Sequence, residues 1–285
     1  MRLVKREFLV FADLTGEILS RQFLFSPLNA KIKKMQLFIY FFIFALGTFL
    51  GSFLNCIIYR LEKGESFLKG RSYCPYCRQT LSFEDLIPLL SFLVLRGKCR
   101  YCQKKISWQY PLVEIATGLV FLLIFIFQSL ILNFIIGFFL ILIFIFDLKH
   151  YLVPDEIIYP AILITLFWRL VFNFQFLISN AIFSAVLAAA SFGAIILFSK
   201  GKWMGWGDVL IVFLMGLFLG YPSILVALYS TFFIGAVVGL ILIFLGKKGL
   251  KSEIPFGPFL VLGTFLALFF SQKLIDFYFR IFLIK

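Results

Sequence analysis

The chain has 285 residues, of which 62% are hydrophobic and only 14% charged, with 41 phenylalanines and a formal net charge of +13. Soluble globular domains carry roughly 45–50% apolar and about 25% charged residues, so this composition excludes a soluble enzyme. The 27 Lys and Arg stand in short stretches between apolar runs, which excludes a basic arm for nucleic acid and makes them topology signals for a lipid bilayer.

Residues Met1–Lys34 hold seven Lys and Arg and lack both an unbroken apolar core and a small-residue cleavage site, so they do not read as a signal peptide. Met35 directly precedes the first apolar run. Segment 1–34 is therefore either a native amphipathic extension or the product of a start placed too early. Apolar runs of about 17–25 residues are needed to cross the hydrocarbon as helices. The first is Leu37–Ile58, which gives a transmembrane helix over 35–58. Leu112–Phe146 is long enough for two spans, with a turn near Gln128–Asn133. Ile157–Phe174, Leu177–Phe198, a short run Val209–Gly220, Ile224–Leu245 and a run from Phe256 onward follow. The expected architecture is an all-α polytopic membrane protein with about eight transmembrane helices.

One stretch does not belong in lipid. Tyr59–Gln109 holds ten Lys and Arg and four of the five cysteines, and reads as a small water-facing domain inserted after the first span. Residues 110–285 then form the membrane-embedded remainder. With eight spans, this island and the basic loops at Lys149, Lys200–Lys202 and Lys247–Lys251 fall on one side. The connections near Asn133, Asn180 and Tyr221 carry no Lys or Arg. The positive-inside rule makes the basic side cytoplasmic and places both termini outside.

Within the island, Cys74-Pro-Tyr-Cys77 and Cys99-Arg-Tyr-Cys102 form a CxxC pair with 21 residues between. Each tight turn can present two sulfurs to one ion, and two turns complete a tetrahedral site. A reducing compartment disfavours disulfides. The reading is a structural four-cysteine zinc site, closed to water and therefore not catalytic; the alternative is a redox pair. Cys56 stands alone in an apolar helix and reads as packing.

Between residues 115 and 252 only four acidic residues occur: Asp147, Asp155, Glu156 and Asp208. Ionisable groups at a bilayer edge are costly and are functional candidates by default. Glu156 reads as a solvating charge. Asp155 follows Pro154 and precedes an apolar run, which suits a helix N-cap. Asp147 closes the apolar run Ile141–Phe146, and Asp208 closes Gly205-Trp-Gly-Asp208 just before the next one. Two crossings separate the two aspartates, so both return to one face. Gly205 and Gly207 permit unwound backbone and close approach of a substrate strand. Two close carboxylates share a proton, one acting as base on water and the other as acid. Helix capping and an ion pathway remain the alternatives at this point.

These residues resemble a known family. Gly51-Ser-Phe-Leu-Asn55, Tyr59-Arg-Leu61, the paired CxxC with Asp85-Leu-Ile-Pro88 between, and Tyr110-Pro-Leu-Val-Glu114 are similar to bacterial type IV prepilin peptidases. So are Asp147 with Pro154-Asp155, Gly205-x-Gly-Asp208 and Pro255-Phe-Gly-Pro258. The resemblance runs from about Met35 to the C-terminus. It implies removal of the leader of type IV prepilins and pseudopilins after a Gly, at the cytoplasmic face of the inner membrane. It also implies N-methylation of the new terminus from S-adenosylmethionine. Asp147 and Asp208 would be the catalytic pair of a GxGD aspartyl protease, shaped by Gly205 and Gly207 with Asp155 nearby. Cys74, Cys77, Cys99 and Cys102 would bind zinc, and Gly97-Lys98 matches a segment linked to methyl transfer. Leu210 stands where the family usually has Lys, and residues 1–34 have no counterpart.

Two other classes compete. A proton-coupled transporter would use the aspartates as a relay, but should carry inverted repeats and broken helices, and neither is visible. A zinc-knuckle adaptor would tolerate loss of either aspartate. Among minor features, His150 reads as a solvated loop residue and Arg169 as an interfacial anchor. Gly47-x-x-x-Gly51 and Gly235-x-x-x-Gly239 read as close helix contacts.

Overall fold

The structure is a computed structural model, which describes residues 27–66, 70–127, 130–246, 249 and 254–282. Helix α1 spans Pro27–Glu62, so it begins before the first apolar run and outlasts it. The expected boundary at residue 34 is not a structural one. Lys and Ala are good helix formers and Pro27 fits a first helical position, so nothing between residues 27 and 37 breaks the helix. Segment 1–26 lies outside the described residues.

The island follows, with a 3-10 turn at Glu84–Leu86 and a one-turn helix α2 (Leu90–Val94). Then come α3 (Gln109–Phe127), α4 (Ile131–His150), α5 (Asp155–Phe172) and α6 (Phe174–Ser199), the last with a π-helical turn at Leu177–Ala181. Helices α7 (Trp206–Leu219), α8 (Ser223–Phe244) and α9 (Gly257–Phe282) complete the order. Six of these helices are long and apolar enough to cross a membrane. Besides the one-turn α2, the others are α5, which carries Asp155, Glu156 and Arg169, and α7, whose 14 residues reach only about 21 Å. The protein is an all-α polytopic membrane protein with four of its five cysteines between the first two long helices.

Helix α4 is the most enclosed of the six spans, and α7 buries most of its last two turns. Leu140 and Ile143 of α4, Ile158 of α5, Leu54 and Ile58 of α1, Ile211 and Met215 of α7 and Leu260 of α9 are fully buried in one cluster. A 14-residue helix survives here because protein, not lipid, surrounds it.

Small residues set the closest approaches. A Cβ on Gly47 would lie 2.8 Å from Gly118 Cα, and one on Gly51 would lie 2.7 Å from Glu114 Cα. The first glycine pair therefore seats α1 on α3, as expected. The second pair does not act this way. Gly235 makes only ordinary contact with Phe259, and Gly239 faces nothing within 4 Å. The tight α8–α9 contact instead uses Gly263, where a Cβ would lie 2.5 Å from the Ala227 carbonyl, and Thr231 Oγ1 donates to the Phe259 carbonyl at 3.2 Å.

Arg169 also departs from expectation. It turns inward, donates to the Phe218 carbonyl and lies 4.6 Å over the Phe176 ring. Phe218 is in the last turn of α7, where carbonyls lack helical partners. Arg169 satisfies one of them instead of reaching for the interface.

Candidate active site and metal cluster

Asp147 and Asp208 arrive at the island end of the bundle from opposite directions. Asp147 sits in the last turn of α4, where Tyr151, at positive φ, closes the helix by donating its N–H to the Asp147 carbonyl at 2.9 Å. Its side chain is 5% exposed, and its Oδ2 is buried without a hydrogen-bond partner. Burial of an unsatisfied carboxylate oxygen costs free energy that folding alone does not explain.

Asp208 lies in the first turn of α7. Its Oδ2 accepts the Gly205 N–H at 3.2 Å, and its own N–H donates to the Gly205 carbonyl at 3.2 Å. Helical backbone already starts at Trp206, so the GxGD segment is not unwound. Gly205 caps the helix with ordinary extended dihedrals. Gly207 has a different use: a Cβ there would lie 3.0 Å from Val153 Cγ2, so it admits the α4–α5 connection.

Pro255-Phe-Gly-Pro258 supplies the third wall. A Cβ on Gly257 would lie 2.5 Å from Asp147 Oδ2 and 3.3 Å from Ile211 Cδ1. Ile211 is one turn beyond Asp208 on α7. The start of α9 therefore sits against both aspartate-bearing helices, at the end of the bundle where both aspartates lie. A nearby carboxyl pair with one enclosed, unpartnered oxygen is equipped to hold and exchange a proton.

Asp155 does not cap its helix. Pro154 occupies the N-cap and accepts the Ile157 N–H at 3.0 Å, while Asp155 is exposed as the first helical residue. Its charge still favours the helix start, and it makes no hydrogen bond or ion pair with Asp147 or Asp208. Leu210 packs partly buried against the core. His150 is exposed, as expected, and shares Glu62 with Lys149. The distances are 3.1 Å and 2.8 Å, which joins the end of α1 to the end of α4.

The four cysteines form two matching knuckles. Cys74 N–H donates to the Gln79 carbonyl and Cys99 N–H to the Lys104 carbonyl, each at 2.9 Å. Arg78 and Gln103, each four residues after the first cysteine of its knuckle, both take positive φ to turn the chain. All four sulfurs lie within 4.8 Å of one another, with Cys74 and Cys102 at 3.9 Å. A tetrahedral ion with Zn–S bonds of about 2.3 Å needs sulfurs about 3.8 Å apart, so the donor set fits. Burial opposes ionising Cys74, but the main-chain N–H groups of Cys77 and Tyr76 outweigh it and bring that thiol down to about 7. The Lys104 N–H favours a Cys102 thiolate, yet desolvation and the neighbouring cysteines hold that thiol at about 11. For all four to be thiolates this close together, a cation would have to hold them.

The rest of the island braces this cluster. Burial works against the Asp85 carboxylate, but Ser82 and the Arg100 guanidinium at 2.8 Å hold it below the usual range. Gly97 takes positive φ beside the second knuckle, and a Cβ there would lie 3.1 Å from Phe92 Cζ. Lys98 is exposed in the knuckle bridge to Lys105. Glu114, which closes the Tyr110-Pro-Leu-Val-Glu114 motif, gives the same sequence signal as the aspartates, a lone carboxylate in an apolar helix. It is 6% exposed and accepts the Leu89 N–H at 2.8 Å, tying the island to α3.

Residues 45–128 match the bacterial peptidase A24 N-terminal domain, and residues 134–242 match the type IV leader peptidase family. The chain is 30% identical over 287 residues to the prepilin leader peptidase/N-methyltransferase of Legionella pneumophila, covering 88% of this chain and 98% of that protein. The chain belongs to the type IV leader peptidase family. A protein of the same name from Pectobacterium carotovorum is 32% identical over 247 residues, covering 76% and 88% of the two chains. Another, from Bacillus subtilis, is 29% identical over 261 residues, covering 84% and 97%. No solved structure matches the chain significantly. The two family regions divide the molecule at the α3–α4 connection. The cysteines and Glu114 fall in the first, and both aspartates fall in the second.

Proposed function

We propose that this protein is a membrane aspartic endopeptidase that removes the leader of type IV prepilins and pseudopilins after Gly, then N-methylates the new N-terminus. The observation that carries the protease reading is the enclosed Asp147 carboxylate, walled in by Gly257 and by Ile211 of the helix that bears Asp208. One carboxylate of the pair takes a proton from water as the oxygen attacks the scissile carbonyl carbon. The other donates a proton to the carbonyl oxygen. Collapse of the tetrahedral carbon breaks the C–N bond, and the departing amine takes up a proton. Neither step needs a metal, and no His or Cys ligand set accompanies the pair.

The basic loops support placing the island and the aspartates on the cytoplasmic side of the inner membrane. Prepilin leaders are basic and would arrive there. Zinc in the four-cysteine cluster is assigned a folding role, because a closed site has no position for water. S-adenosylmethionine is assigned as the methyl donor, in keeping with the names of the relatives.

The test is incubation of the purified protein with a leader-bearing prepilin, with and without S-adenosylmethionine, followed by mass measurement. Cleavage is expected under both conditions and methylation only with the donor. Asp147→Asn and Asp208→Asn should each lower cleavage by about 10²–10⁴-fold or more, the range carried by an acid or base. Near-normal cleavage by either variant would rule out the pair.

A further inference from the structure

A cavity of about 560 Å³ lies between the island and the island-side ends of α1 and α3. Neither aspartate of the proposed protease pair lines it. Its volume falls in the range of about 300–1,000 Å³ that holds cofactor-sized ligands. We propose that this cavity binds S-adenosylmethionine, an adenosyl sulfonium zwitterion, and that Phe92 and Glu114 are its principal anchors. The assignment rests on the N-methyltransferase reading above and adds where the donor sits.

Three parts of such a ligand have counterparts in the wall. A flat purine needs an aromatic face, and Phe92 offers one, backed by the Trp108 ring at 5.1 Å. A sulfonium or ammonium cation needs an anion in low dielectric. Glu114 lines the cavity while being 6% exposed, and Leu89 holds its carboxylate in place. A ligand carboxylate needs a cation, and Lys104, 4.8 Å over the Tyr76 ring at the wall, supplies one.

The same geometry accounts for Gly97 and Lys98. Neither lines the cavity. Gly97 faces Phe92 so closely that any side chain would push the ring by a few tenths of an ångström. Gly97 is therefore a positioning residue acting through Phe92, and not a ligand contact. Glu62 and Lys149 also line the cavity, and Lys149 is two residues beyond Asp147. The donor would thus lie beside the cleavage site without entering it, as sequential cutting and methylation require. In the transfer, the freed amine arrives unprotonated and its lone pair forms the N–CH₃ bond. The S–CH₃ bond breaks with its electrons returning to sulfur, and one N–H proton leaves to water.

The test measures equilibrium binding of S-adenosylhomocysteine to the zinc-loaded, detergent-solubilised full chain, beside prepilin cleavage. Phe92→Ala and Glu114→Gln should each weaken binding at least about tenfold while cleavage continues, and Gly97→Ala should weaken it less. Wild-type methylation with unchanged binding in the Phe92 and Glu114 variants would overturn the cavity assignment. If the wild type cleaves but neither binds nor methylates, the methyltransferase reading itself fails. Should the variants misfold, a photoreactive azido-adenosyl analogue on the wild type decides. Labelled peptides from residues 52–114 support the site, and labelling confined to α5–α9 refutes it.

Discussion

Gly257→Ala tests the wall that α9 presents to Asp147. The added Cβ would lie 2.5 Å from Asp147 Oδ2, 3.1 Å from its Cγ and 3.3 Å from Ile211 Cδ1. The first two distances are below ordinary van der Waals contact, so the carboxylate must rotate or α9 must retreat. Overpacking of this kind costs about 1–3 kcal/mol of stability, which a helix bundle with this much buried surface absorbs. Activity is more sensitive, because a reacting group misplaced by about 1 Å loses on the order of 10²-fold in rate. Prepilin cleavage by Gly257→Ala should therefore fall about 10²-fold in kcat with metal content unchanged. Gly239→Ala is the control, since a Cβ there meets nothing within 4 Å, and it should cleave within about twofold of wild type. Cleavage by Gly257→Ala within that same margin would refute the placement of α9 against a carboxylate that takes part in cleavage.

Replacing Cys74 and Cys77 together by Ser should release the metal and unfold the island, as structural zinc supplies much of a small domain's folding energy; retention of about one zinc per chain would contradict the cluster. Methylation should fall further than cleavage in that variant. Cleavage should survive a chelator too weak to strip four thiolates, and Mg²⁺-dependent rescue after mild chelation would replace the dyad by a metal-assisted mechanism. Its pH profile should be bell-shaped, falling on the acid side as the pair takes a second proton and on the alkaline side as the shared proton is lost.

The span count was legible only in part: six of the eight expected spans are long and apolar enough to cross, while α5 carries three charges and α7 has only 14 residues. Helix ends were not legible, because a helix does not stop where lipid does: α1 continues through Tyr59–Glu62 into the island. The cysteine cluster was legible because each knuckle is local, with its turn chemistry contained in about six residues. The aspartates were legible as isolated charges at span ends. The Gly257 wall was not, since it depends on where α9 docks. Gly235-x-x-x-Gly239 has the same spacing as Gly47-x-x-x-Gly51, but spacing does not say which helix face meets a neighbour. Arg169 turned inward for a carbonyl that becomes available only once α7 ends beside it. The cavity joins three separated segments and leaves no pattern in any one of them.

The island and the aspartates meet at one edge of the bundle, over a core that joins α1 to α4, α5, α7 and α9. The protease helices bury Ile143, Ile158, Ile211 and Leu260 against one another, and none of these residues belongs to the island. The island is fastened instead by its cysteines, by Glu114 to the Leu89 N–H and by Arg60, which donates to the Ser66 and Arg71 carbonyls. Between the halves, the Glu62–Lys149 pair is partly exposed and worth only about 0–1 kcal/mol. Contacts such as the Phe53–Phe138 ring pair at 6.3 Å add apolar area along α1 and α4. Breaking the four-cysteine cluster should therefore unfold the island while leaving what folds the aspartate site. That asymmetry is why cysteine substitution should separate methylation from cleavage, and why substitution at Gly257 should not.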